Sequence, residues 1–131
     1  MFAHGSQIRV EGRFGSFFVP SGAQGDSIVD AITRGDLFDW QIAEAMVRYF
    51  EPGSCFLDVG ANFGQMSVAV AHALQQSPEN LREGLGILIE AEPFVASIAR
   101  ANVVENGLQR ALQVVEGAAW DKPGINLPSP P

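Results

Sequence analysis

Basic residues are scarce in this chain: eight Lys and Arg stand against fifteen Asp and Glu over 131 residues, for a formal net charge of −7. The eight are scattered, whereas a nucleic-acid surface needs clustered cations to neutralise phosphates; no nucleic-acid partner is expected. Cysteine occurs once, as Cys55, which excludes an intrachain disulfide. It falls in the first core strand read below, where a lone Cys behaves as a small hydrophobe. Histidine occurs only at His4 and His72, with no Cys/His cluster to hold a metal. His72 reads as surface or boundary. A Gly-x-Ser-x-Gly elbow of the hydrolase kind is absent. No apolar run approaches the ~20 residues of a membrane span, and the opening MFAH lacks the charged-then-apolar order of a signal peptide. A cytoplasmic protein that avoids membranes is the expectation. Repeats and low-complexity tracts are also missing.

What is present is a chain 47% hydrophobic, enough for one modest core. Its most informative stretch is CFLDVGANFG at 55–64, a short buried strand running into a glycine-punctuated turn. The apolar positions from Met66 to Leu74 then continue as a helix. A strand, a tight turn and a helix N-terminus bring backbone N–H groups and the helix dipole to one point, which suits a nucleotide-like ligand at the carboxyl end of a parallel strand. A dinucleotide fingerprint wants glycines at 60, 62 and 65, where this chain has Gly60, Asn62 and Gln65. A nicotinamide dinucleotide is therefore disfavoured. The alternative to any ligand is an ordinary strand-to-helix turn. A second apolar run, GILIE at 86–90, closes on two carboxylates, Glu90 and Glu92, followed by Pro93 at a position suited to the first turn of a helix.

The spacing that fits is Gly60, a small polar residue at 62 and Gly64, with Asp58 two before the first glycine. This resembles motif I of the S-adenosylmethionine-dependent methyltransferases, and DVGANFGQ is most similar to the FkbM-type branch. The resemblance implies S-adenosylmethionine as cofactor. Asp58 would then receive the ammonium by a charge-assisted hydrogen bond, while Gly60 and Gly64 let the backbone pass close to the ligand without Cβ contacts, with Ala61 between them in the same cofactor-binding set. Asn62 tolerates a left-handed turn and can donate a side-chain hydrogen bond. FkbM-like sequences carry a Phe-Glu-Pro step at the second strand end, and Ala91-Glu92-Pro93 is its counterpart. Glu92 is thus the expected ribose ligand, with Glu90 in reserve; either carboxylate is also what a helix N-terminus favours. The distance from Gly64 to Glu92 exceeds the usual ~20 residues, and the loop at 75–84 takes up the difference.

Asn106-Gly107 reads as a helix cap, and 112–116 as a third strand. The segment from Gly117 to Gly124 resembles the FkbM-type stretch beside the adenine, where Ala118 and Ala119 leave room for a flat base. Trp120 either covers that base or packs in the core, and Gly117 stands where many methyltransferases have an acid. Ahead of the motif, 7–11 and 16–20 flank Gly12-Arg13-Phe14-Gly15 as a β-hairpin. Asp39 then precedes a helix at 40–50 as its N-cap, or less readily as a ligand-shell residue.

The chain is therefore expected to comprise a lead-in (1–52), a cofactor-binding half-domain (53–124) and a Pro-rich tail (125–131) that cannot form a central strand. The fold class is α/β: a Rossmann-like methyltransferase fold, with helices on both faces of a parallel sheet and truncated after its third strand. Strands are expected at 55–59, 86–90 and 112–116 in the order third-second-first, with helices at 63–75 and 94–106. The resemblance implies methyl transfer to a hydroxyl of a small molecule or sugar. A non-catalytic S-adenosylmethionine-binding module is the alternative. No residue is singled out as catalytic, because the part that shapes an acceptor pocket is not in view. The first strand's outer edge would be unpaired, which favours self-association unless the hairpin fills it.

Overall fold

The structure is a computed structural model that describes residues 6–122. His4, Gly124 and the Pro-rich tail read at 125–131 lie outside the described residues. The chain opens with an antiparallel hairpin of β1 (Gln7–Gly12) and β2 (Gly15–Pro20). Helices α1 (Ser27–Thr33) and α2 (Trp40–Tyr49) follow. The remainder alternates strand and helix: β3 (Phe56–Val59), α3 (Gln65–Leu74), β4 (Gly86–Glu90), α4 (Pro93–Glu105) and β5 (Leu112–Glu116). β3, β4 and β5 form one parallel sheet in that spatial order.

The register explains how the sheet closes on its helices. Phe56 is paired with Gly86, and the Phe56 ring occupies the space a Cβ at Gly86 would need. Asp58 is paired with Leu88, and Leu88 is paired with Val114, so alternation sends these side chains to one face. Leu88 is fully buried there, with a methyl 3.1 Å from where a Gly64 Cβ would stand; the Ala99 Cβ of α4 is 3.7 Å from the same point. α3 is buried along most of its length, through Val68, Ala69, Val70, Ala71 and Leu74, because the sheet lies on one side and α2 on another. Among the described residues the opposite face of the sheet stays open. Leu57 and Val59 are 61% and 60% exposed there, with Ile87 and Ile89 half-buried between β3 and β5.

The hairpin is a separate two-stranded sheet and does not extend the parallel one. β2 packs on α4 and α3 and contributes the buried Phe17 and Val19 to the common core. Arg9 of β1 forms an ion pair with Glu105 of α4 at 2.6 Å, and that carboxylate raises the guanidinium's proton affinity further. The outer edge of β3 is left without a strand partner among the described residues. α1 lies where no helix is expected from the sequence. Asp26 caps it, accepting from the Ile28 and Val29 N–H groups at 2.9 and 3.0 Å, and Val29, Ala31 and Ile32 are its buried face.

Three residues depart from expectation. Cys55 is exposed and precedes β3 instead of lying inside it, since the turn after Pro52 and Gly53 runs on to Ser54 and Cys55 before pairing begins at Phe56. Asp39 does occupy the N-cap position of α2, but with φ 55° it makes no capping side-chain bond. Trp120 is 62% exposed, so it does not pack in the core.

Candidate functional site

The turn between β3 and α3 is built from three left-handed residues, Gly60 (φ 75°), Asn62 (φ 55°) and Gly64 (φ 82°). Asn is among the few side chains that tolerate this conformation. Here the Asn62 Oδ1 also accepts the Phe63 N–H at 2.8 Å, a local bond that fixes the turn. The Gly60 and Ala61 N–H groups both donate to the Ile89 carbonyl, at 2.8 and 3.0 Å. These bonds carry the β3–β4 pairing past the strand end, so the turn leaves the sheet at a fixed angle. The Gly64 N–H returns to the Ala61 carbonyl at 3.0 Å, and Gly64 is the N-cap of α3.

Two carboxylates sit beneath this turn. Asp58, on the last turn-ward half of β3, accepts the Ser67 hydroxyl at 2.6 Å. Burial pushes its proton affinity up; the Ser67 hydrogen bond acts the other way, and the nearby Glu90 charge raises it further. Glu90 ends β4 and uses both oxygens on backbone: Oε2 accepts the Asn62 N–H at 2.8 Å and Oε1 the Glu92 N–H at 3.1 Å. It thereby straps the glycine turn to the start of the next one. The Glu90 carbonyl accepts the Gly117 N–H at 2.9 Å, which brings the segment after β5 to the same strand ends.

The residues singled out from sequence are thus distributed unevenly. Asp58, Gly60, Ala61, Asn62 and Gly64 form one continuous edge above β3. Glu92 is exposed and serves as the N-cap of α4, its Oε2 accepting the Val95 N–H at 2.6 Å, with Pro93 as the first helical residue. Ala118 and Ala119 follow β5 and are exposed. Sequence reasoning missed Ser67 as the partner of Asp58. The signal was available: Ser67 stands at the third position of α3, one turn above a strand-end acid. The strap formed by Glu90 was not legible, because it depends on the register of two strands 28 residues apart.

A strand-end acid, a left-handed glycine turn that lets the backbone approach closely and a helix N-terminus can together hold a ligand with both signs of charge and a polar diol. The solved structures match this chain at the level of architecture. One is a protein of Pyrococcus horikoshii described as a transferase, with a TM-score of 0.56 and 13% identity over 87% of this chain. Another is a SAM-dependent methyltransferase of Agrobacterium tumefaciens (SAM, S-adenosylmethionine), with a TM-score of 0.56 and 18% identity over 86% of this chain. The fold is methyltransferase-like. This chain spans 38% of the first structure's length and 33% of the second's. No protein-family description and no curated protein matches its sequence. Among the described residues no helix is long and apolar enough to cross a membrane, and no group of three His, Cys, Asp or Glu could hold a metal ion.

Proposed function

We propose that the strand-end cluster binds S-adenosylmethionine and that the chain is the cofactor-binding part of a methyltransferase of FkbM type, acting on a hydroxyl oxygen of a small molecule or sugar. The observation that carries this reading is the half-buried Asp58 beside the left-handed turn Gly60–Asn62–Gly64 on a methyltransferase-like sheet. Asp58 is held in a site where its charge is disfavoured by burial and by Glu90, so an arriving ammonium offsets both. Glu92 and Glu90 are the two acids from which the ribose ligand would come. Glu92 is the exposed one and needs only to leave its capping bond, whereas Glu90 is committed to two backbone N–H groups. Ala118 and Ala119 leave room for the base. The bound cofactor would supply an electrophilic methyl group on a sulfonium that is already a good leaving group. The residues of this chain would orient it, and orientation is the larger part of what in-line displacement requires.

A non-catalytic cofactor-binding module is the second reading. It is favoured by the three-stranded sheet, whose β3 edge has no strand partner among the described residues and whose open face leaves Leu57 and Val59 exposed. Calorimetric titration with S-adenosylmethionine, S-adenosylhomocysteine and NAD tests both readings. Binding of the first two and not of NAD is expected, and tighter binding of NAD would overturn the assignment. Methyl transfer by the chain alone would separate enzyme from module. Glu92→Ala is expected to weaken S-adenosylhomocysteine by about 1.5–3 kcal/mol, the worth of hydrogen bonds to a charged acceptor. Unchanged affinity would remove Glu92 from the site.

A further inference from the structure

Two asparagines one turn apart on α4 treat β2 as a neighbouring strand would. Asn102 accepts the Phe18 N–H at 2.6 Å and donates to the Phe18 carbonyl at 3.1 Å. Asn106 accepts the Ser16 N–H at 3.1 Å and donates to the Ser16 carbonyl at 2.8 Å. Their roles then diverge. The second Nδ2 bond of Asn106 stays within α4, on the Asn102 carbonyl at 2.7 Å. That of Asn102 crosses to the glycine turn, where it reaches the Phe63 carbonyl at 2.8 Å. Asn102 is fully buried and Phe63 nearly so. One carboxamide therefore joins α4, the hairpin and the turn with its whole hydrogen-bonding capacity for donation.

We propose that Asn102 is a positioning residue for the cofactor turn: by pinning the Phe63 carbonyl to the edge of β2, it makes the N-terminal hairpin part of the framework that shapes the turn. The Phe63 carbonyl and the Gly64 N–H belong to one peptide plane. That plane is bounded by Phe63 and the left-handed Gly64, and glycine at 64 offers little resistance to its rotation. Fixing the carbonyl fixes the N–H on the Ala61 carbonyl and so sets which way the turn's amides point. Nothing in the sequence of the turn alone supplies this constraint. The inference concerning affinity rests on the reading of the turn as a cofactor site; the constraint on the turn does not.

The test uses the 131-residue chain with two readouts, hydrogen exchange at the Gly64 amide relative to Val114 in β5, and affinity for S-adenosylhomocysteine. Asn102→Ala and the near-isosteric Asn102→Asp both remove the donor to Phe63. Asn106→Ala removes the parallel bonds to Ser16 and leaves Phe63 alone, so it reports what loosening the hairpin does by itself. Both Asn102 variants are expected to speed Gly64 exchange selectively and to weaken the ligand roughly ten- to a hundredfold, by analogy with the loss of an outer-shell partner of a metal ligand. Asn106→Ala is expected to lower the melting temperature and move neither readout. In the unmutated protein, the Asn102 side-chain amide resonance should shift on titration with the saturation of ligand binding, a measurement that no folding defect can spoil. Gly64 exchange that follows Val114 in the Asn102 variants, or equal effects from Asn106→Ala, would overturn the proposal. Selective Gly64 exchange without any binding by the unmutated chain would overturn the cofactor reading and leave the tether standing.

Discussion

Asp58 sets stability against binding. Its folded-state proton affinity is raised, with burial the largest cause. The folded chain therefore holds this proton more tightly than the unfolded one. The stability it contributes is present below the ordinary carboxylate range and is lost as pH rises through the folded-state value. Asp58→Asn keeps an acceptor for Ser67 and removes the charge. It should melt higher than the parent at neutral pH, with the gap narrowing as pH falls through the raised folded-state value and closed by about pH 4, the ordinary carboxylate range, and should bind S-adenosylhomocysteine more weakly. A melting series against pH decides it: a gap that widens in acid would contradict the sign. At Gly64 a side chain meets both a left-handed backbone and the Leu88 methyl at 3.1 Å. Gly64→Ala should cost about 1–3 kcal/mol in urea unfolding. The left-handed requirement was legible in the sequence, since Gly and Asn at 60, 62 and 64 are the residues that meet it. The accommodation of Glu90 was not, because its two backbone partners come from turns on different strands.

At the level of elements, periodicity located β3, α3, β4, α4 and β5 within a residue or two, and the hairpin as well. α1 was missed although its start is written plainly: Asp26 precedes a short apolar-spaced run that stops before Gly35. Seven residues are too few for helical periodicity to register. Its stability rests on the cap and on Val29 and Ile32, so Asp26→Ala should destabilise the protein by about 1 kcal/mol. Loss of nothing measurable would mean that burial alone holds α1. The paired asparagines of α4 escaped notice for another reason. In sequence, Asn106-Gly107 reads as a helix end, which it is, with Gly107 at φ 69°. That the same side chain also serves a strand requires knowing that the hairpin lies across α4.

For the molecule as a whole, the unequal faces of the sheet matter most. Helices cover one side among the described residues, and Leu57 and Val59 are left exposed on the other, at the strand whose outer edge is unpaired. An uncovered apolar edge is a template for association. The hairpin does not fill it, since it forms its own sheet against α3 and α4. We therefore propose that the 131-residue chain self-associates across β3. Light scattering at micromolar concentration should find a dimer or larger species, and Leu57→Lys with Val59→Lys should return it to a folded monomer whose melting temperature no longer depends on protein concentration, since both side chains are exposed in the single chain. A monomeric parent would count against the proposal.

The cap at the end of α4 also bears on how the protein ages. An Asn followed by Gly is the dipeptide in which the next backbone nitrogen attacks the side-chain carbonyl most readily, expelling ammonia through a succinimide and leaving Asp or isoaspartate. In the folded chain the Gly107 nitrogen is held by its bond to the Val104 carbonyl, at 2.9 Å, while the Asn106 amide is engaged by Ser16 and Asn102. Both reactants are restrained, so native structure should slow this decay. Once it occurs, a carboxylate faces the two carbonyls that the amide had served, and refolding of the hairpin onto α4 is opposed. Samples stored in denaturant should accumulate deamidated Asn106 faster than native samples in peptide mapping, and should recover less native structure with each week of storage.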